Sequence, residues 1–135
     1  MNKHTPQHVR EAYELYIRSY NAHDSKAYWG CFHWPHTAIK GSSLMAHDRP
    51  YASFDEVKRH RGCAYLQIVT LQVVAYSEHT AHLVVRLACL NEQTKMIAER
   101  DMVYIYKKVL DEWKIYVVSQ ADDAHTDATA PGQVS

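Results

Sequence analysis

Four strand-like stretches in succession, residues 65–76, 81–90, 96–107 and 113–121, dominate the second half of the chain. Each is rich in Val, Ile, Leu, Tyr or Cys, which pack well on a pleated surface, and the polar breaks between them are short enough for hairpins. The first half must therefore supply elements that cover a sheet. Alternation along the strands sharpens the point. One parity of 81–90 holds Ala81, Leu83, Val85, Leu87 and Cys89, the other His82, Val84, Arg86, Ala88 and Leu90, and neither is purely polar. In 96–107, Met96, Ala98, Met102, Tyr104 and Tyr106 share one side, with Ile97, Glu99, Asp101, Val103 and Ile105 on the other. A sheet with one wet face alternates more cleanly. Both faces are thus expected to be covered, one by N-terminal helices and the other, at least in part, by a second copy of the chain in a homodimer.

The elements ahead of the sheet are marked by their caps. Thr5 followed by Pro6 reads as a helix start, because a hydroxyl can cap the first turn and proline loses nothing at the first helical position. Val9, Ala12, Tyr13, Tyr16 and Tyr20 then recur at steps of three and four, giving one apolar stripe. Asp24 can cap a second helix, 25–32, that turns Tyr28, Trp29 and Phe32 inward. Pro35 forces 33–36 out of helix conformation, after which 37–40 and 43–46 read as a small hairpin around Gly41-Ser42. Ser53-Phe54-Asp55-Glu56 is a capping box for a third helix, 54–61, stopped by Gly62. A single domain over residues 1–121 is expected, with 122–135 as a loose, flexible tail lacking any periodic apolar pattern.

Composition limits what such a domain does. The 135 residues include fifteen basic and fifteen acidic side chains, for a formal charge of zero. That balance offers no electrostatic footprint for nucleic acid or an anionic membrane surface, and Lys58-Arg59-His60-Arg61 reads as the exposed, C-terminal end of a helix. The opening residues carry no apolar run and no stretch is long enough to span a bilayer, so a cytoplasmic location is expected. Cys31, Cys63 and Cys89 match no metal or redox spacing and read as buried free thiols.

The order helix, helix, small hairpin, helix, long sheet resembles the nuclear transport factor 2-like superfamily, which includes ketosteroid isomerase, scytalone dehydratase, limonene epoxide hydrolase and SnoaL-like polyketide cyclases. The residues that carry the resemblance are Thr5-Pro6-Gln7-His8, Tyr20-Asn21-Ala22-His23-Asp24, Phe32-His33-Trp34-Pro35-His36, the Ser53 box and Trp113-Lys114-Ile115. The resemblance implies an α+β fold in which three helices pack into a strongly curved, mostly antiparallel sheet, forming a cone around an apolar cavity. It implies dimerisation through the sheet face. It also implies a small-molecule-binding protein, in one form a cofactor-independent acid–base enzyme of the isomerase, cyclase or dehydratase type acting on an apolar carbonyl compound, in another a non-catalytic ligand-binding or association module.

Candidate site residues follow from the same comparison. Tyr16 falls on the tyrosine that donates to the substrate oxyanion in ketosteroid isomerase, although with Tyr13 and Tyr20 it equally fits a packed helix stripe. Asp101 resembles that enzyme's protonated aspartate; if its strand parity points outward, it pairs instead with an arginine such as Arg86. The isomerase's aspartate base is replaced here by Lys40, which disfavours steroid isomerisation. Epoxide hydrolysis is not expected either, since Arg86 is followed two positions later by Ala88 rather than by Asp. His33 and His36 are the candidate proton acceptors, because histidine is the residue type that ionises near neutral pH, but their spacing in a strand puts them on opposite faces, so no metal site is expected. Tyr13, Tyr20, Trp29, Phe32, Lys40, Glu99 and Val103 are expected to line the cavity. No metal or organic cofactor is called for.

Overall fold

A computed structural model describes residues 6–50 and 52–121; Thr5 and the tail 122–135, for which a cap and looseness were expected, lie outside the described residues. Helices α1 (Pro6–Asn21) and α2 (Ser25–Gly30) precede strands β1 (Phe32–Lys40) and β2 (Ser43–His47). Helix α3 (Phe54–Arg61) follows, then β3 (Tyr65–Tyr76), β4 (Thr80–Leu90), β5 (Met96–Val109) and β6 (Glu112–Gln120). The six strands form one curved, open sheet in the order β2-β1-β6-β5-β4-β3. Every pairing is antiparallel except that of β1 with β6, which is parallel. The expected α+β architecture is thus the observed one.

Two boundaries differ from the sequence reading. Helix α2 ends at Gly30, and β1 begins at Phe32 rather than Thr37. The strand starts early because β6 supplies a parallel neighbour, and the register between them shifts over Phe32 to Thr37, the stretch where Pro35 has no N–H to give.

Helix α1 lies against β3, β6 and α2, with Val9, Tyr13, Tyr16, Ile17 and Tyr20 buried on one stripe. Its end is fastened by Asn21, whose amide donates to the Leu66 carbonyl at 2.9 Å and accepts from the Leu66 N–H at 2.8 Å. Asp24 caps α2 through a bond from the Ala27 N–H at 3.1 Å. Both halves of the Ser53 capping box are present at α3, and Gly62 ends that helix with φ of 75°, a left-handed conformation that glycine adopts freely.

The inner face of the sheet buries Leu83, Val85, Leu87, Met102, Tyr104, Tyr106 and Ile115 against the helices. At about 1.5–3 kcal/mol for each large apolar side chain removed from water, this face dominates the stability of the fold. The outer face keeps the paired Val84 and Val103 exposed, and Val69, Val74 and Ile97 are exposed where the strand register shifts. The expectation of three free thiols is corrected at two of them. Cys63 and Cys89, 26 residues apart with Cα atoms at 5.2 Å, form a disulfide joining the residue after Gly62 to β4. Only Cys31 among them is free, and burial pushes its thiol up to about 11. Among the described residues no helix is long and apolar enough to cross a membrane.

Candidate functional site

A cavity of about 420 Å³ opens beneath the helices, a size suited to a small organic molecule. Its wall is assembled from Tyr16 of α1, Tyr28 of α2, Phe32, His36, Ala38, Ile39 and Lys40 of β1, Glu56, Val57, His60 and Arg61 of α3, Met102 of β5, and Val118 and Gln120 of β6. Apolar side chains are interspersed with polar and charged ones, among them His36, Lys40, Glu56, His60 and Arg61. A larger depression of about 700 Å³ lies on the outside, around Asn21, His23, Asp55 and Arg59. It is more open and less apolar than the inner cavity, and two of its lining side chains, His23 and Asp55, are exposed and paired with each other at 2.9 Å, so the inner cavity is the better candidate.

Of the four proposed catalytic residues, two line this cavity. Tyr16 is fully buried and receives a hydrogen bond from the Tyr104 hydroxyl at 3.4 Å. His36 is only 4% exposed, and its ring packs on Phe32 with centroids 4.5 Å apart. Burial drives its pKa down to about 4, with the His33 carbonyl opposing and the rings of His47 and His33 assisting, so the imidazole is neutral near neutral pH. Nδ1 lies 3.1 Å from the His33 carbonyl oxygen. A carbonyl only accepts, so Nδ1 carries the proton and Nε2 keeps the lone pair.

The other two are placed elsewhere, which corrects the expected convergence. Asp101 sits on the outer face of β5, opposite Arg86, whose Nε lies 3.1 Å from Asp101 Oδ1 while its Nη1 donates to Glu99 Oε1 at 2.8 Å. The reason is parity: Met102, Tyr104 and Tyr106 take the inner face, so Glu99, Asp101 and Val103 must take the outer one. The odd-numbered acids of β5 find a cation across the strand pair rather than a cavity. His33 turns away from the cavity wall, its Nδ1 2.7 Å from the Pro35 carbonyl oxygen and its ring 4.7 Å from that of Tyr116.

Among the expected lining residues, Phe32 and Lys40 are in the wall, and the remainder are not. Tyr13 packs edge-on to Tyr104 in the core, with ring centroids 4.8 Å apart. Tyr20 spends its hydroxyl on the Cys63 carbonyl at 2.6 Å, and burial pushes its ionisation up to about 12, keeping it a neutral donor. Trp29 lies outside the wall, edge-on to Tyr28 and tilted against Phe32 and Trp34. Glu99 and Val103 share the outer face with Asp101, as parity requires.

Arg61 is the residue that the sequence reading missed. Taken as part of an exposed cationic run, it is instead half-buried in the cavity wall, its Nη2 donating to the Tyr28 hydroxyl at 3.4 Å and its guanidinium 5.0 Å from the centre of the Tyr20 ring. Burial opposes its charge, yet with the hydroxyls of Tyr28, Tyr16, Tyr104 and Tyr20 around it the group keeps its proton, as arginine does in proteins. The signal was present: Phe54, Val57 and Arg61 fall at i, i+3 and i+7, the inner stripe of α3. No group of three or more His, Cys, Asp or Glu is placed to hold a metal among the described residues.

No family model matches the sequence, and no curated protein matches it either. Solved structures do. An NTF2-like protein of unknown function from Pseudomonas putida KT2440 is similar with a TM-score of 0.70 at 10% identity, over 96% of this chain and 94% of that one. An NTF2-like protein with a cystatin-like fold from Novosphingobium aromaticivorans gives 0.67 at 12% identity, over 90% and 84%. A protein of unknown function with a cystatin-like fold from Nostoc punctiforme PCC 73102 gives 0.66 at 10% identity, over 94% and 99%. Helices laid into a curved, open, six-stranded sheet, matched over nearly the whole length of such structures, give this chain the nuclear transport factor 2-like, cystatin-like fold.

Proposed function

We propose that this protein binds a small, mostly apolar carbonyl compound in the cavity beneath α1. The observation that carries the reading is the wall itself: a hollow of about 420 Å³ in which Phe32, Val57, Met102 and Val118 supply apolar surface and polar groups such as Tyr16, His36 and Arg61 can fix orientation. Tyr16 is the hydrogen-bond donor to the ligand oxygen, and Lys40 stands at the exposed rim. The outer sheet face, with Val84 and Val103 exposed, pairs with a second copy of the chain. Native mass spectrometry of the purified protein tests the cavity. A retained small molecule is expected, and Ala38→Phe, which fills the hollow, is expected to lose it; equal retention by the variant refutes the assignment.

A second reading, acid–base turnover of that compound, is favoured by one feature. His36 is neutral with its lone pair on Nε2, the form required of a proton acceptor. A base of such low pKa needs a substrate whose conjugate oxyanion is strongly stabilised, which falls to Tyr16. Asp101 has no part in this scheme. Prolonged incubation of the captured compound separates the two readings: an altered compound, with the change abolished in His36→Gln, marks an enzyme, whereas an unaltered one leaves binding alone.

A further inference from the structure

Helix α3 brings two charged groups, Glu56 and Arg61, to a wall whose accessible surface is mostly apolar. Around the Arg61 guanidinium stand rings and hydroxyls, and among the described residues no carboxylate lies within 4.0 Å of it. The nearest acid in the wall is Glu56, which is already engaged: its Oε1 accepts from the Ser53 N–H at 3.0 Å to close the helix cap. A desolvated cation without a counter-charge is costly, and a guanidinium presents a planar fork matched to two oxygens. A single such fork in an apolar setting suits a monoanion better than a phosphate dianion, which needs several donors.

We propose that the ligand of this cavity carries a carboxylate that docks on Arg61, with the Tyr28 hydroxyl beside it and the apolar body of the molecule lying over Phe32, Val57 and Met102. The proposal rests on the cavity-binding reading above and narrows its ligand to an apolar carboxylic acid. Arg61 is then a specificity-determining residue, since a neutral isostere leaves the guanidinium unpaired.

The test is calorimetric titration with 2-naphthoate and 2-naphthamide, two probes of one shape that differ in charge. The wild-type protein is expected to prefer the naphthoate by at least about tenfold. Arg61→Gln is expected to lose that preference while still binding the amide, which also shows that the variant is folded, and Arg61→Lys to recover part of it. Ala38→Phe is expected to weaken both probes. Equal affinities in the wild type, both lost in Ala38→Phe, overturn the carboxylate anchor and leave the cavity reading standing. A preference that survives in Arg61→Gln also overturns the anchor. No binding of either probe, or binding indifferent to Ala38→Phe, overturns both.

Discussion

His36 makes the stability of this fold depend on acidity in a way that a single substitution isolates. Its folded pKa lies at about 4 against an ordinary value of 6.5, because the ring is buried among Phe32, Trp34 and His47. The shift is downward on a base, so the folded state favours the neutral ring. The stabilisation is complete above 6.5 and is lost as pH falls toward 4, because over that window the unfolded chain takes up a proton that the folded one refuses. The full shift corresponds to about 3 kcal/mol, and between about pH 7.5 and about pH 5 the loss comes to about 2 kcal/mol. The perturbation is His36→Asn, whose amide nitrogen takes the place of Nδ1 toward the His33 carbonyl and which removes the titration. Urea unfolding followed by tryptophan fluorescence gives both stabilities across the window. The wild type is expected to lose about 2 kcal/mol more than the variant on acidification, since the remaining ionisable groups are common to both. Parallel stability profiles refute the reasoning.

Three further outcomes are expected. Reducing the Cys63–Cys89 disulfide, which closes a separation of 26 residues, costs about 3–4 kcal/mol on the loop-entropy estimate, read as a lowered urea midpoint in dithiothreitol and absent in a Cys63→Ala/Cys89→Ala pair. Arg86→Met leaves Glu99 and Asp101 facing each other without their cation; with the three side chains about one-third exposed the loss is about 1 kcal/mol and shrinks with added salt. Tyr20→Phe removes the buried donor to the Cys63 carbonyl and costs about 1–2 kcal/mol in thermal unfolding.

Where sequence patterns are local, they read through to the structure. The bounds of β3 and α3 are visible because a run of branched and aromatic residues or a capping box is written in contiguous residues. The start of β1 at Phe32 is hidden, since Tyr28, Trp29 and Phe32 continue a helical spacing and the parallel partner on β6 lies far along the chain. Cys63 and Cys89 meet only because β3 folds back on β4, which pairs Leu66 with Cys89. At the candidate site, strand parity separates Asp101 from Tyr104 correctly, but parity alone does not say which side is inner; the opposed Arg86 decides it. Arg61 was obscured by the charges of its neighbours, although the periodicity of α3 puts it with Phe54 and Val57.

The mounting of α3 bears on how the hollow is filled. At one extremity Phe54 is wedged between the rings of Tyr20 and Tyr28, and just past the other the covalent link at Cys63 ties the chain to β4. The segment behaves as a beam clamped at both supports rather than a hinged flap. Under the proposed cavity binding, entry is expected past the exposed rim at Lys40, at a rate that does not wait on α3 swinging open like a door.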